Sequence, residues 1–590
     1  MKAPFPESSL SAHQDGPENP ALPGAEHGQS PSFTVPPSWQ GQRLDKFLAA
    51  QLQETHSRQK IKELIEAGAV SVSGRTVTSA KTPLRAGATA SIALPPLATS
   101  LAPEEGDLTI LYRDEYLVLI DKPAGLTVHP CPSCPEGTLA HRLVAHFPEI
   151  ASQEGFRPGI VHRLDKDTSG LLLAALTTAS QKTLADLFAR HEVEKTYLAL
   201  VSGVPARPEG SIDMPIGRHP TYKTKMAAYP KGRPARSHWQ VLEKDPDGRF
   251  SLVAVGIETG RTHQIRVHMA HLGHPLLGDA LYRVQGKSLL PDPASRQMLH
   301  AWKLALPYPD AFRAEAGSVQ ETGSVQENAS GTGPVVVLEK SILQAQCPPP
   351  KDFEATLHAL GLRSLRVILT GMPGCGKSSL LAAFKEEGYP VFCADACVGQ
   401  LYAPDGDGTA LLARRFGERF LLAEQGAAAK EATGRAAPGG TDKVALGKAM
   451  AADSALRREV EALIHPLVFH ALEQFWLDSG AHPLAVAEIP LYFESGRKDR
   501  EAVVIGVHAP LALRKNRLHK NRGWSQEMVA TMEGWQMPEE AKMAACTLVV
   551  DNAGSEEALA AGAKTLCAQL LDIREQRALD FAGRFIRQYR

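Results

Sequence analysis

Gly371-Met372-Pro373-Gly374-Cys375-Gly376-Lys377-Ser378 settles the fold of the second half of this 590-residue chain. It fits the pattern G-x-x-x-x-G-K-[ST] in full. The apolar run Val367-Ile368-Leu369 precedes it, and Leu380, Leu381 and Phe384 follow at helical spacing. A strand, a glycine loop and a helix in that order predict an α/β layer with a parallel sheet. Backbone N–H groups of the loop and of the helix start then surround phosphates. Gly374, Cys375, Gly376, Lys377, Ser378 and Ser379 are the expected nucleotide-binding residues. Lys377 reaches the β- and γ-phosphates, and Ser378 helps to hold Mg2+. The loop alone says ATP or GTP and does not name a reaction.

Outward from the loop, Val391-Phe392-Cys393-Ala394 runs into Asp395, and a second apolar run ends at Glu488. Substrates bind at the C-terminal edge of a parallel sheet. A carboxylate there suits Asp395 to accept a hydroxyl proton, and it also suits a helix N-cap. Glu488 is a candidate holder of Mg2+-bound water. Cys393-Ala394-Asp395-Ala396, His465-Pro466, Pro490-Leu491-Tyr492-Phe493-Glu494, Arg517-Leu518, Gln536 and Val549-Val550-Asp551-Asn552 together resemble dephospho-CoA kinase over about residues 365–570. The resemblance implies transfer of the ATP γ-phosphate to the ribose 3′-hydroxyl of dephospho-CoA, giving CoA. The chain departs from the family pattern in four places. Cys375 replaces the first-loop serine, and Cys546-Thr547 replaces the usual Ala-Asp. In Arg517-Leu518-His519-Lys520-Asn521-Arg522 the second lid arginine is displaced by one. Residues 422–440 carry a Gly/Ala-rich insertion. A lid arginine stabilises charge on a transferred phosphoryl group, so a kinase-like domain with little activity remains a competing expectation. A kinase for another small alcohol, with an RNA-tethering front half, is the third.

The front half is read from His162-Arg163-Leu164-Asp165-Lys166-Asp167-Thr168-Ser169-Gly170-Leu171-Leu172-Leu173. Asp165 sits between a polar loop and an apolar strand, a rigid edge that suits a nucleophile or base. A structural turn pairing Asp165 with Arg163 explains that segment equally well. Further segments break the tie: 121–130 (DKPAGLTVHP), Glu194-Lys195-Thr196-Tyr197, Thr259-Gly260-Arg261-Thr262-His263-Gln264-Ile265-Arg266, and His274-Pro275-Leu276-Leu277-Gly278-Asp279. Over about residues 107–309 they resemble, in order and spacing, the RNA pseudouridine synthases of ribosomal and transfer RNA. The resemblance implies that a uridine is flipped out, its glycosidic bond is broken, and the base is rejoined through carbon, with no cofactor. It assigns Asp165 as the essential aspartate and Arg163 as the residue displacing the base. Tyr197 becomes the stacking aromatic, and Arg266, ahead of Arg261, the cation holding the aspartate ionised. Stacking worth roughly 1–3 kcal/mol per base would offset part of the flipping cost.

In front of this, Arg43-Leu44-Asp45-Lys46-Phe47-Leu48, Ser57-Arg58-Gln59-Lys60-Ile61 and 68–74 (GAVSVSG) resemble a small RNA-binding module shared with a ribosomal protein. Arg43, Lys46, Arg58 and Lys60 are the expected phosphate contacts. A second basic stretch holds Arg218, His219, Lys223, Lys225, Lys231, Arg233, Arg236 and His238, with Tyr222, Tyr229 and Trp239 between them. It suits single-stranded RNA, though a solvated basic face competes. Cys131-Pro132-Ser133-Cys134 has half a zinc site's ligands and reads as an insertion.

Six segments follow: a disordered tail (1–35), the small α+β RNA-binding module (36–98), an α+β catalytic domain with a mixed, largely antiparallel sheet (105–312), a linker (313–362), the α/β P-loop domain (363–572) and a C-terminal tail (573–590). A repeat at 317–321 and 323–327 suits a surface linker. The formal net charge of −1 restricts RNA binding to local patches. The 8 cysteines are too sparse for a secreted disulfide scaffold. No apolar run reaches the roughly 18 residues of a membrane span, and a cytoplasmic location is expected. The expected partners are RNA (ribosomal RNA first), ATP and dephospho-CoA.

Overall fold

A computed structural model describes residues 31–52, 58–94, 101–131, 133–152, 157–222, 224–283, 293–310, 312, 333–422 and 439–589. The 317–327 repeat, residues 1–30, Lys223 and most of the 422–440 insertion lie outside them, as do the side chains of Arg58 and Lys60. The chain divides into two units.

The first unit is Met1–Lys166, Leu172–Glu192 and Tyr308–Gln320. It opens with the small module, in which helices Leu44–Gln51 and Arg58–Glu66 accompany a four-stranded antiparallel sheet. Leu44, Phe47, Leu48, Ile61 and Ile65 are fully buried in one core. Order starts earlier than the sequence suggests. Ser32–Thr34 is a strand paired with Thr89–Ser91, because Val35 is buried in that core and Phe33 packs against it. Beyond the module, strands Thr109–Arg113 and Leu117–Lys122 form an antiparallel pair. Helix Thr178–Ala189 begins at a capping box of Thr177 and Ser180, which satisfies otherwise orphaned N–H groups.

The second unit is Asp167–Leu171, Val193–Pro307 and Glu321–Arg590. Its first sheet centres on Glu194–Ser202, flanked antiparallel by Phe250–Ile257 and Leu299–Pro307. Arg236–Lys244 and Glu209–Asp213 extend one side. On the other, Ser169 and Gly170 pair in parallel with His300 and Ala301. Gly170 has φ +106°, and a Cβ there would stand 2.3 Å from the Ala301 carbonyl oxygen, so only glycine fits. The second sheet is five-stranded and parallel, in the order Val391–Cys393, Leu484–Glu488, Leu365–Thr370, Val503–His508, Leu548–Asp551.

Two further expectations need correction. Residues 313–362 are not all linker. Val335–Glu339 and Ile342–Gln346 form a hairpin, and the second strand pairs with Leu299–Pro307. Helix Lys351–Gly361 follows. Residues 573–590 are not a separate tail either, because one 31-residue helix runs from Glu556 to Ile586. Both corrections have one cause. Leu198, Leu200, Phe250 and Leu252 present an apolar sheet face, and Phe353, Leu357, Leu360, Ala582 and Phe585 cover it. The Phe250 and Phe585 rings stack with centroids 5.2 Å apart. The Tyr589 carbonyl accepts hydrogen bonds from Trp302 Nε1 at 3.2 Å and Gln346 Nε2 at 3.1 Å.

Phe585→Ala should therefore destabilise the full chain by roughly 3–5 kcal/mol, the usual cost of removing a buried aromatic ring. Urea denaturation followed by circular dichroism measures it; a shift no larger than that of a surface substitution would contradict this packing.

Candidate active sites

Asp165 follows the buried Leu164 and precedes the buried Thr168. Lys122, itself fully buried, fixes the loop's position: its Nζ donates to the carbonyls of Pro123, Leu126 and Lys166 at 2.7, 2.9 and 2.9 Å. In the sequence Lys122 is one residue of the 121–130 segment with no role of its own. Its location next to Asp121 and Pro123 gives no hint that it clamps a loop more than forty positions away. His162 Nε2 accepts from the Leu173 N–H at 2.9 Å, and the ring stacks on Phe188. Arg163 is exposed. Burial, with Arg157 and Arg163 nearby, pushes His129 down to about 4, so this residue is neutral at physiological pH.

Asp165 and Arg163 belong to the first unit, and Tyr197 and Arg266 to the second. Tyr197 is 6% exposed on the central strand, opposite Val255 and Ala301. Arg266 lies in helix Gln264–His271 and is 6% exposed. Its Nε and Nη2 donate to the two carboxylate oxygens of Asp279 at 2.6 and 2.9 Å. Such a two-point pair fixes the plane of a guanidinium. Burial alone would raise the Asp279 pKa, but the Arg266 bonds and the Leu281 and Tyr282 N–H groups outweigh it and hold the acid below its usual range. Arg261 turns elsewhere, with Nε on the Pro234 carbonyl at 3.0 Å. Asp279 was legible only as part of a motif; its pairing depends on tertiary folding.

In the small module, Arg43 pairs with the buried Asp45 at 2.8 Å, and Lys46 is exposed. Of the second basic stretch, Arg236 pairs with Asp213 at 2.6 Å and His238 with Glu258 at 2.6 Å, all exposed. Such surface pairs add little stability and partly neutralise this face. Cys131 and Cys134 exchange backbone hydrogen bonds at 3.0 and 2.9 Å, closing a tight turn.

The glycine loop lies at the end of strand Leu365–Thr370 and opens helix Lys377–Glu386. Gly376 caps that helix at φ +95°, and a Cβ there would stand 2.0 Å from Asn552 Nδ2. Asn552 Nδ2 donates to the Cys375 carbonyl at 2.8 Å, bracing the loop from the last strand. The Cys375 side chain is fully buried in the core behind the loop, so only its backbone is available to a nucleotide. Lys377 Nζ donates to the Gly371 and Met372 carbonyls at 3.0 and 3.1 Å.

A cleft of about 710 Å³ is lined by Gly374, Lys377, Ser378, Ser379, Asp395 and Glu488 among others. Arg517, Asn521 and Arg522 also line it. Glu488 is 3% exposed, and Ser378 Oγ donates to its Oε1 at 3.2 Å. Burial raises the Glu488 pKa; Lys377 opposes this and Asp395 adds to it. A buried acid in that state is stabilised as an anion by a nearby cation. Mg2+ takes hard oxygen ligands, keeps several waters, and uses one or two carboxylates plus phosphates, and Ser378 with Glu488 fits that donor set. Arg517 Nη1 is buried without a hydrogen-bond partner, as a phosphate-facing donor would be.

Sequence comparison supplies the family. RNA pseudouridylate synthase matches residues 116–271. An uncharacterized RNA pseudouridine synthase of Chloroflexus aurantiacus is 45% identical over 281 residues, covering 47% of this chain and 86% of the relative. The chain belongs to the RNA pseudouridine synthases. Ribosomal large subunit pseudouridine synthase D of Nitrosomonas europaea is 41% identical over 303 residues, covering 50% of this synthase and 85% of the relative. The synthase carries two further domains: an S4 domain matching 42–89 and a dephospho-CoA kinase domain matching 365–557. Among the described residues, no helix is long and apolar enough to cross a membrane.

Two outcomes follow. Asp279→Asn breaks the two-point buried ion pair with Arg266, which costs roughly 3–5 kcal/mol. Because the folded pKa of Asp279 is depressed, its contribution is complete above the unfolded value near 4 and is lost as pH falls below that. Stability measured between pH 7 and pH 3 should fall less steeply in Asp279→Asn than in the parent. For the loop, Gly376→Ala should displace Asn552 and weaken ATP binding at least about tenfold, as a left-handed backbone and a clash would together require; calorimetry measures it.

Proposed function

We propose that this chain is two enzymes in one polypeptide. The first half isomerises uridine to pseudouridine in structured RNA, with ribosomal RNA as the favoured substrate. The second half transfers the ATP γ-phosphate to the 3′-hydroxyl of dephospho-CoA in the cytoplasm. One observation carries the two-enzyme reading. In a chain whose synthase identity rests on its relatives, the second half also keeps a whole glycine loop, a Ser378–Glu488 pair and Asp395 on one cleft.

In the first reaction Asp165 attacks the nucleotide as an anion, and Arg163 helps to displace the target base. Tyr197 stacks on the extruded uracil, and Arg266 keeps the aspartate ionised. Asp279 supports this reading by fixing the Arg266 guanidinium at two points. Arg43, Lys46, Arg58 and Lys60 supply phosphate contacts that position RNA.

In the second reaction the backbone from Gly374 to Ser379 cradles the phosphates. Lys377 leaves its loop carbonyls for the β- and γ-oxygens. Ser378 and Glu488 would hold Mg2+, which would supply positive charge against the phosphates. Asp395 accepts the proton of the attacking hydroxyl. Arg517 stabilises the transferring group. A weaker kinase is favoured by one feature: Asn521 occupies the second lid arginine's place, while Arg522 beside it also lines the cleft.

Asp165→Asn should abolish pseudouridine formation in RNA from a strain lacking this gene while RNA binding persists. Asp395→Asn should lower the rate of CoA formation from ATP and dephospho-CoA by about 10²–10⁴-fold, the usual worth of a positioned base, with ATP affinity kept. Normal pseudouridine levels in the first variant, or no CoA formation by the unmodified chain, would sink the corresponding half.

A further inference from the structure

Away from the ATP cleft, a cleft of about 350 Å³ is lined by Arg363, Arg366, Arg500, Arg574, Arg577 and Arg584. Its walls come from the 245–248 turn of the first sheet, the start of strand Leu365–Thr370, the loop at 500–501 and helix Glu556–Ile586. Six guanidinium groups around so small a volume repel one another unless compensated.

The compensation is incomplete. Arg363 pairs with Asp245 and Asp247, Arg366 with Asp499 at 3.2 Å, and Arg584 with Glu243 at 3.0 Å. Arg574 bonds only backbone carbonyls among the contacts described, those of Arg363 and Leu362 at 2.8 and 3.0 Å. Arg577 likewise donates to the Glu501 carbonyl. Arg500 is exposed. None of these three has an ion pair among the contacts described, and Glu501 is the one acid among the described residues that line the cleft. Two lining residues also hold buried polar atoms without a hydrogen-bond partner, Arg363 Nε and Ser364 Oγ. Buried donors of this kind are rare unless a ligand or water completes them.

We propose that this cleft binds a small phosphoanion, a phosphate monoester or pyrophosphate group of the kind that nucleotides and CoA carry. Planar guanidinium forks match phosphate oxygens two at a time. Three guanidinium groups without an ion pair suit a phosphate dianion better than a single carboxylate. The cleft's small volume suits one or two phosphoryl groups rather than a stretch of nucleic acid. The site is independent of the glycine loop, which lies at the opposite end of strand Leu365–Thr370, and it requires no turnover by either half.

The test uses the full chain carrying Lys377→Ala, so that the ATP cleft contributes least. Pyrophosphate and adenosine 3′-phosphate are titrated separately by calorimetry, which tells a pyrophosphate site from a monoester site, and a short oligouridylate is the competing probe. One site per chain is expected for at least one small anion. Adding Arg500→Ala and Arg577→Gln should weaken it at least about tenfold, as loss of charge-assisted hydrogen bonds does. If the double change lowers thermal stability, Arg500→Ala alone decides, because its exposed side chain supports no packing: weaker binding upholds the site and unchanged binding rejects it. Absence of small-anion binding, affinity indifferent to these arginines, or a response confined to oligouridylate would each overturn the proposal.

Discussion

An apolar sheet face must be covered, and in this chain the cover comes from far away in sequence. Leu198, Leu200, Phe250 and Leu252 lie on the first sheet of the second unit, and Phe353, Leu357 and Phe585 complete their core. Burial of such side chains contributes about 25 cal/mol per Å² of apolar surface, and no polar linker could replace it. The consequence is structural union. A helix that starts beside the parallel sheet, with Leu559, Ala563, Leu566 and Leu570 in that sheet's core, ends with Ala582 and Phe585 in the core of the other sheet.

Buried charges do the finer positioning, and each is held by more than one bond. Asp352, at the start of helix Lys351–Gly361, pairs with Arg296 at 2.6 Å. Arg296 in turn donates to the Asp167 carbonyl at 3.0 Å, two residues from Asp165. A segment outside the synthase family match therefore reaches the strand that follows the proposed nucleophile. In the kinase domain Arg514, 2% exposed, bonds the Ala509 carbonyl, Glu533 and Glu539. Lys542, fully buried, bonds Glu494, Gln536 and the Pro490 carbonyl. Desolvation offsets much of what each bond contributes, so these networks fix geometry more than they add stability.

What was legible in the sequence followed from local constraint. The glycine loop could be read because φ values of +75° at Gly374 and +95° at Gly376 exclude other residues, and the flanking apolar runs named the sheet type. The small module and both family resemblances were legible for the same reason, as motifs in fixed order. The misread segments depend on distant partners. Val335–Glu339 is a short run beside a polar repeat, and its pairing becomes visible only with the Ile342–Gln346 and Leu299–Pro307 strands in place. In the last helix and the turn that ends it, Ala578, Ala582, Phe585 and Tyr589 are buried at spacings of four, three and four. Arg577, Asp580, Arg584 and Arg587 between them made the stretch read as a charged tail. The apolar stripe was present; nothing local said there was a surface to receive it.

The shared core also sets how the two catalytic halves can influence each other. A ligand that binds only the folded state stabilises whatever unfolds with its site. Strand Leu365–Thr370 starts next to Arg363, which grips Asp245 of the first sheet, and ends at the glycine loop. Helices Lys351–Gly361 and Glu556–Ile586 bury their aromatic residues on that same sheet. If both cores unfold as one, a nucleotide in the kinase cleft would stabilise the cover of the sheet that carries Tyr197, and a ligand on that sheet would stabilise the scaffold beneath the glycine loop. Such reciprocity needs no alternative conformation of either site. It would need only that the two sheets lose their packing together, and the continuous helix from Glu556 to Ile586, with one end in each core, is the element through which they would do so.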